Sequence, residues 1–231
     1  MADDDKRRWK GPSSGASDGR GAPRERVRTE RASSRTWIER QLNDPYVRKA
    51  KAEGYRARAA YKLIELNERY RLIKRAARVI DLGAAPGGWA QVALELGARA
   101  IVGIDLLPID PLAGATFIEG DARDPAIAAA ALRALGAAPD LVLSDMAANT
   151  TGHRATDQIK TGVLAELAAE FALTHLTPGG AFVTKAFQGG LEAGLLARLK
   201  TRFAAVRHAK PPASRAESAE IYVVATGFKA A

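Results

Sequence analysis

The chain has 231 residues, 47% hydrophobic and 26% charged, which suits one α/β domain of ordinary size plus a tail and leaves too little for two equal domains. With no cysteine it forms no disulfide or thiolate metal site, and His153, His175 and His208 are too scattered for a zinc cluster, so no structural metal is expected. The net charge of +9 sits at the front: residues 1–78 hold 22 lysines and arginines against 11 acids, whereas the remainder holds 13 against 15. That half is suited to a polyanion such as RNA, because each neutralised phosphate releases a counterion.

Residues 1–35 are rich in Gly, Ser, Pro and Arg without an apolar period, and are expected to form a disordered basic arm ahead of a single domain over 36–231. No run approaches 18 apolar residues, and the N-terminus lacks the apolar centre of a signal peptide. A cytoplasmic protein with no membrane partner is expected. Tyr61, Ile64, Leu66 and Tyr70 then recur at helical spacing, predicting an amphipathic helix with a basic outer face.

Beyond residue 78 the runs "ARVIDL", "AIVGIDLL", "ATFIEG", "DLVLSD", "GAFVTKAF" and "EIYVVATGF" read as strands. Between them lie the helical stretches "WAQVALELGA", "PAIAAAALRALG" and "KTGVLAELAAEFALTHL". This alternation predicts an α/β fold: a mostly parallel sheet covered by helices on both faces. After "FAAVRHAK" the segment "PPASRAESA" leaves no room for a crossover helix, so the terminal strand is expected to run antiparallel.

The turn Gly83-Ala84-Ala85-Pro86-Gly87-Gly88 follows the first strand, where an open α/β sheet binds its ligand. It is neither a phosphate loop nor a G-x-G-x-x-G turn, and no lysine follows to take a phosphate. By itself it is a weak signal, since a tight strand-to-helix connection with no ligand also explains it. Carboxylates at four successive strand ends, Asp81, Asp105, Asp121 and Asp145, argue for a ligand. Any one of them is explained as a helix N-cap; four at one sheet edge are not. Asp105 stands where a carboxylate accepts ribose hydroxyls, and Asp121 where one faces an adenine amino group. A ligand with adenine, ribose and a positive centre but no phosphate fits this edge, and S-adenosylmethionine is such a ligand.

The runs "RARAAYKLIEL", "DLGAAPGGWAQ", "IDLLPIDP", "IEGDARD", "LSDMAAN", "LTPGGAFVTKAFQG" and "SRAESAEIYVVATGF", in order over about residues 36–228, resemble the FtsJ/RrmJ-type ribosomal RNA 2′-O-methyltransferases. The resemblance implies a Rossmann-like class I methyltransferase sheet of seven strands with an antiparallel terminal strand. It implies a catalytic tetrad at Lys62, Asp145, Lys185 and Glu220, and S-adenosylmethionine contacts at Gly87, Trp89, Asp105, Asp121 and Asp145. The implied partner is large-subunit (23S) ribosomal RNA within the assembled 50S subunit, the target a uridine of the A-loop, and nothing suggests more than a monomer. Ala148 and "TGHRATD" depart from the family's substrate-side loop.

The tetrad suits the chemistry. A methyl sulfonium is already activated, so the protein must align a ribose 2′-hydroxyl and remove its proton. On Lys185, burial and Lys62 favour the neutral amine, whereas Asp145 and Glu220 favour the ammonium, and sequence does not say which prevails. Taken singly, Lys185 also reads as a snorkelling strand-edge lysine, Lys62 as a solvated helix charge and Trp89 as core filling. A silent RNA-binding protein on the same fold would predict a broken tetrad, and a small-molecule or protein methyltransferase would not need the basic front half.

Overall fold

The computed structural model describes residues 43–147, 153–188 and 193–230. The arm expected over 1–35, and its boundary with the domain, lie outside the described residues. Two helices precede the sheet: α1, Pro45–Glu53, and α2, Ala60–Tyr70. α1 is written by its ends. Asp44 accepts a hydrogen bond from the Tyr46 N–H, Pro45 takes the first turn, and Gly54 stops the helix in the left-handed region at φ 80°. α2 buries Tyr61, Ile64 and Leu66 as its apolar spacing predicts and Leu63 besides, while Tyr70, expected with them, is only half-buried at the helix end. Its other face is not basic as expected, because Glu65 and Glu68 offset Lys62 and Arg69, and Lys62 turns inward.

From there strand and helix alternate: β1 (Arg78–Leu82), α3 (Gly88–Glu95), β2 (Ala100–Asp105), β3 (Ala115–Glu119), α4 (Pro125–Leu135), β4 (Leu141–Ser144), α5 (Arg154–His175), β5 (Ala181–Phe187), α6 (Ala193–Arg202), β6 (Phe203–Ala209) and β7 (Glu220–Phe228). α6 was not foreseen. The sheet order is β3-β2-β1-β4-β5-β7-β6, with β7 antiparallel to both its neighbours and the other pairings parallel. The terminal strand therefore runs antiparallel as expected, but it lies inside the sheet, between β5 and β6.

Strand alternation sends side chains to two cores. Val79, Ile101, Leu141, Leu143, Val183, Tyr222 and Val224 face α1, α2 and α3, whereas Ile80, Leu82, Val102, Ile104, Val142, Phe182, Val223 and Ala225 face α4, α5 and α6. The chain runs outward from β1 through β2 to β3, then returns to the other side of β1 with β4. This reversal between β1 and β4 is the switch point where an α/β sheet opens a crevice at its carboxyl end.

Candidate active site

Four side chains distant in sequence meet beside that crevice. Lys185, on β5 between β4 and β7, is only 7% exposed. Its Nζ donates to the Asp145 main-chain oxygen at 2.6 Å and to Asp145 Oδ1 at 3.0 Å. Lys62 enters from α2; its Nζ lies 2.8 Å from Glu220 Oε2 and 3.7 Å from Asp145 Oδ2. The expected tetrad of Lys62, Asp145, Lys185 and Glu220 is thus one contiguous cluster of two cations and two carboxylates.

Tyr222 closes it, and sequence reading missed this residue. Its hydroxyl donates to Asp145 Oδ1 at 2.6 Å and accepts from Lys62 Nζ at 3.0 Å. Period-two alternation was the available signal, since Tyr222 stands two residues past Glu220 on one strand and so shares its face. Ser214, buried in the β6–β7 loop, donates to Glu220 Oε1 at 2.7 Å. The loop is tied to the helices by Glu65, which accepts from the Ala213 N–H at 2.7 Å, and by Arg58, which donates to the Ala213 carbonyl and pairs with Asp44 at 3.0 Å.

Burial by itself would raise the Asp145 carboxyl, but the Lys185 and Lys62 ammonium groups outweigh it and hold Asp145 below its usual range. Tyr222 is driven far above an ordinary phenol by burial and then by the neighbouring Asp145 and Glu220 charges, so it stays a donor.

A cavity of about 650 Å³ lies along the carboxyl ends of β1, β2 and β4, within the size range of ligand pockets. Asp105, Asp121 and Asp145 line it together with Gly83, Ala85 and Met146. Leu106, Leu107, Ile159 and Val163, the large apolar side chains left exposed among the described residues, stand at its rim. Asp105 also shapes the glycine turn: Oδ2 accepts from the Ala85 N–H and Oδ1 from the Leu107 N–H, both at 2.9 Å. Asp121 pairs with Arg123, whose hydrogen bonds lower its carboxyl.

Gly87 and Trp89 do not line this cavity. Gly87 has φ 100° and lies against Arg56, where a Cβ would come within 2.7 Å of the guanidinium. That guanidinium donates to the carbonyls of Pro86, Asp110 and Pro111 and so clamps the turn, a part that no sequence signal announced. Trp89 is 3% exposed, donates from Nε1 to the Ala59 carbonyl at 2.7 Å and packs against Tyr222, their ring centroids 6.0 Å apart.

Comparison with known proteins shows the family. The sequence matches the FtsJ-like methyltransferase family over residues 55–228. It is 56% identical to the ribosomal RNA large subunit methyltransferase E of Hyphomonas neptunium over 235 aligned residues, 99% of this chain and 100% of that one. To the protein of the same name in Acidiphilium cryptum it is 61% identical, over 88% of this chain and 90% of the other. A solved Plasmodium falciparum protein assigned as a ribosomal RNA methyltransferase superposes with a TM-score of 0.66 at 31% identity, covering 75% of this chain and 98% of that one. With the sheet order, the acidic crevice and the clustered tetrad all in place, the chain belongs to the FtsJ-like methyltransferase family.

Proposed function

We propose that the protein transfers a methyl group from S-adenosylmethionine to a ribose 2′-hydroxyl of large-subunit ribosomal RNA, that of an A-loop uridine in the assembled 50S subunit. The observation that carries this reading is the tetrad: two lysines and two carboxylates, buried together at the mouth of an acidic cavity. The relatives' names supply the class of RNA.

The cavity suits the cofactor chemically, since three carboxylates and no phosphate-binding lysine loop suit a ligand bearing hydroxyls and positive charge. Asp105 would take the ribose hydroxyls, Asp121 the adenine side and Asp145 the cationic end, while Gly87 and Trp89, which stand off the cavity, would hold the glycine turn and the start of α3 in place. S-adenosylmethionine, when bound, supplies an activated methyl group.

The remaining work belongs to the chain's own groups. For the transfer Lys185 first releases a proton from its ammonium to solvent; the neutral Nζ then orients the hydroxyl and takes its proton as the oxygen–methyl bond forms, and the Asp145 carboxylate, 3.0 Å away, stabilises the ammonium that this restores. Lys62, fixed by Glu220 and Tyr222, holds Asp145 from its other oxygen. On this reading the protein works in the cytoplasm, on assembled subunits.

Lys185→Ala tests the assignment. Single-turnover methylation of large subunits from an unmethylated strain is expected to slow by about 10² to 10⁴, the usual worth of a positioned proton acceptor, with cofactor affinity nearly unchanged. Retention of more than about a tenth of the rate would remove Lys185 from proton transfer.

A further inference from the structure

A second cavity, of about 490 Å³, adjoins the tetrad through the β5 end and the β6–β7 loop. Phe187, Gln188 and Gln158 line it, with Ser218 and Ala219 immediately before Glu220. We propose that it receives the nucleobase of the nucleotide being methylated, stacked on Phe187 with its polar edge toward the Gln158 and Gln188 amides. The inference rests on the RNA-methylation reading above and adds to it the groups that hold the target base.

Register is the first support. In the antiparallel β5–β7 pair Phe187 stands opposite Glu220, and Lys185 opposite Tyr222. Residues two apart on a strand, and residues directly opposite across it, share a face. The aromatic ring therefore lies on the tetrad's own face, one pleat repeat of about 6.6 Å along the strand from Lys185. The base of a nucleotide lies nearer its own 2′-hydroxyl than this repeat, so a hydroxyl held at Lys185 leaves its base within reach of Phe187.

Chemistry is the second support. A single-stranded or flipped base is recognised by stacking on an aromatic side chain and by hydrogen bonds to its edge. Primary amides offer donor and acceptor side by side, the complement of a pyrimidine edge. Gln158 is oriented by its own contact, Nε2 donating to the Gln188 carbonyl at 3.1 Å. The opposite wall is also rigid: Lys210 Nζ donates to the Ala216 and Ser218 carbonyls at 3.0 and 2.7 Å. Asp157 and Glu217 outnumber Lys210 in the lining, and Lys210 is held by main-chain carbonyls, a balance that favours a neutral base edge over a phosphate. The two cavities flank the tetrad, Asp145 facing one and the residues beside Glu220 the other.

The test uses the full chain with large ribosomal subunits from an unmethylated strain. Phe187→Ala is expected to lower kcat/KM for the subunit at least tenfold, with cofactor affinity within twofold of wild type, and Phe187→Trp to restore most of the loss. In parallel, Phe187→p-benzoylphenylalanine is irradiated on the same subunits and the cross-link located by primer extension. The expected position is the nucleotide that the wild-type protein methylates. Wild-type kcat/KM in Phe187→Ala, failure of tryptophan to rescue it, or a cross-link at another nucleotide or at none would overturn the proposal. Should the wild-type protein leave ribosomal RNA unmethylated, the functional reading itself fails, which the wild-type control separates from these outcomes.

Discussion

Asp81 lies in β1 with 1% of its surface exposed, and among the described residues neither carboxyl oxygen has a hydrogen-bond partner. Burial first, then the charges of Asp145 and Asp105, push its carboxyl from 3.8 up to about 8. The folded protein therefore keeps a proton that the unfolded chain gives up. Stability from this group is full below pH about 4 and is lost as pH rises through about 8. Asp81→Asn, which mimics the protonated form, is expected to flatten the stability profile between those limits; urea unfolding at several pH values checks it, and parallel curves would mean that Asp81 titrates normally. Asp105 differs, because both its oxygens accept main-chain N–H groups yet keep lone pairs for a ligand. Asp105→Ala is expected to weaken S-adenosylmethionine binding by about 1.5–3 kcal/mol, the worth of a hydrogen bond to a charged group, as read by calorimetric titration.

Among the elements, β2 shows how packing reaches the site. Gly103, in mid-strand, lies under the glycine turn, and a Cβ there would meet Ala84 Cβ at 2.7 Å and the Phe117 ring at 2.8 Å. The ring can shift, but the Ala84 methyl moves only with the turn. Gly103→Ala is expected to cost about 1–3 kcal/mol of stability, as overpacking does, and to weaken cofactor binding because the turn is displaced. Thermal melts and titration of one sample report both effects; a melt unchanged from wild type would show that the turn gives way freely. α2 works by register in the same manner. Tyr61, Leu63, Ile64 and Leu66 seat it on the sheet, and that seating carries Lys62 to Glu220, 158 residues away in sequence.

Over the whole molecule, charge separates from chemistry. Residues 1–35 hold 10 lysines and arginines against 6 acids, whereas the crevice is lined by three aspartates. Phosphate contacts position a protein on RNA without choosing the nucleotide. Deleting residues 1–35 is expected to flatten the plot of log affinity for the ribosomal subunit against log salt by roughly 2 to 4 units, at about 0.7–0.9 for each phosphate no longer neutralised. The methylated position should stay where it is. A truncated protein with the full slope, or one that methylates elsewhere, would place nucleotide choice or phosphate binding differently.

By itself the sequence determined the alternation of strand and helix, the antiparallel last strand and three of its four expected ligand-edge aspartates, Asp105, Asp121 and Asp145, because periodicity and crossover length are local properties that the chain displays directly; Asp81, expected with them, is buried inside β1 and does not line the cavity. It also held the tetrad, through motifs that resemble a known family. Tertiary structure alone decided the rest. Lys62 reads as one more charge on a helix until the sheet is present to bury it, and Ser214 reads as a loop serine until the β6–β7 turn folds back on Glu220. Trp89 and Gly87 occur in the same motif as the cavity aspartates, yet their side chains settle against Tyr222 and Arg56, since only packing fixes the direction a side chain takes from a helix start or a tight turn. The cavity beside Asp145 and the one beside the residues preceding Glu220 come together only with β7 between β5 and β6, a strand order that no local pattern encodes.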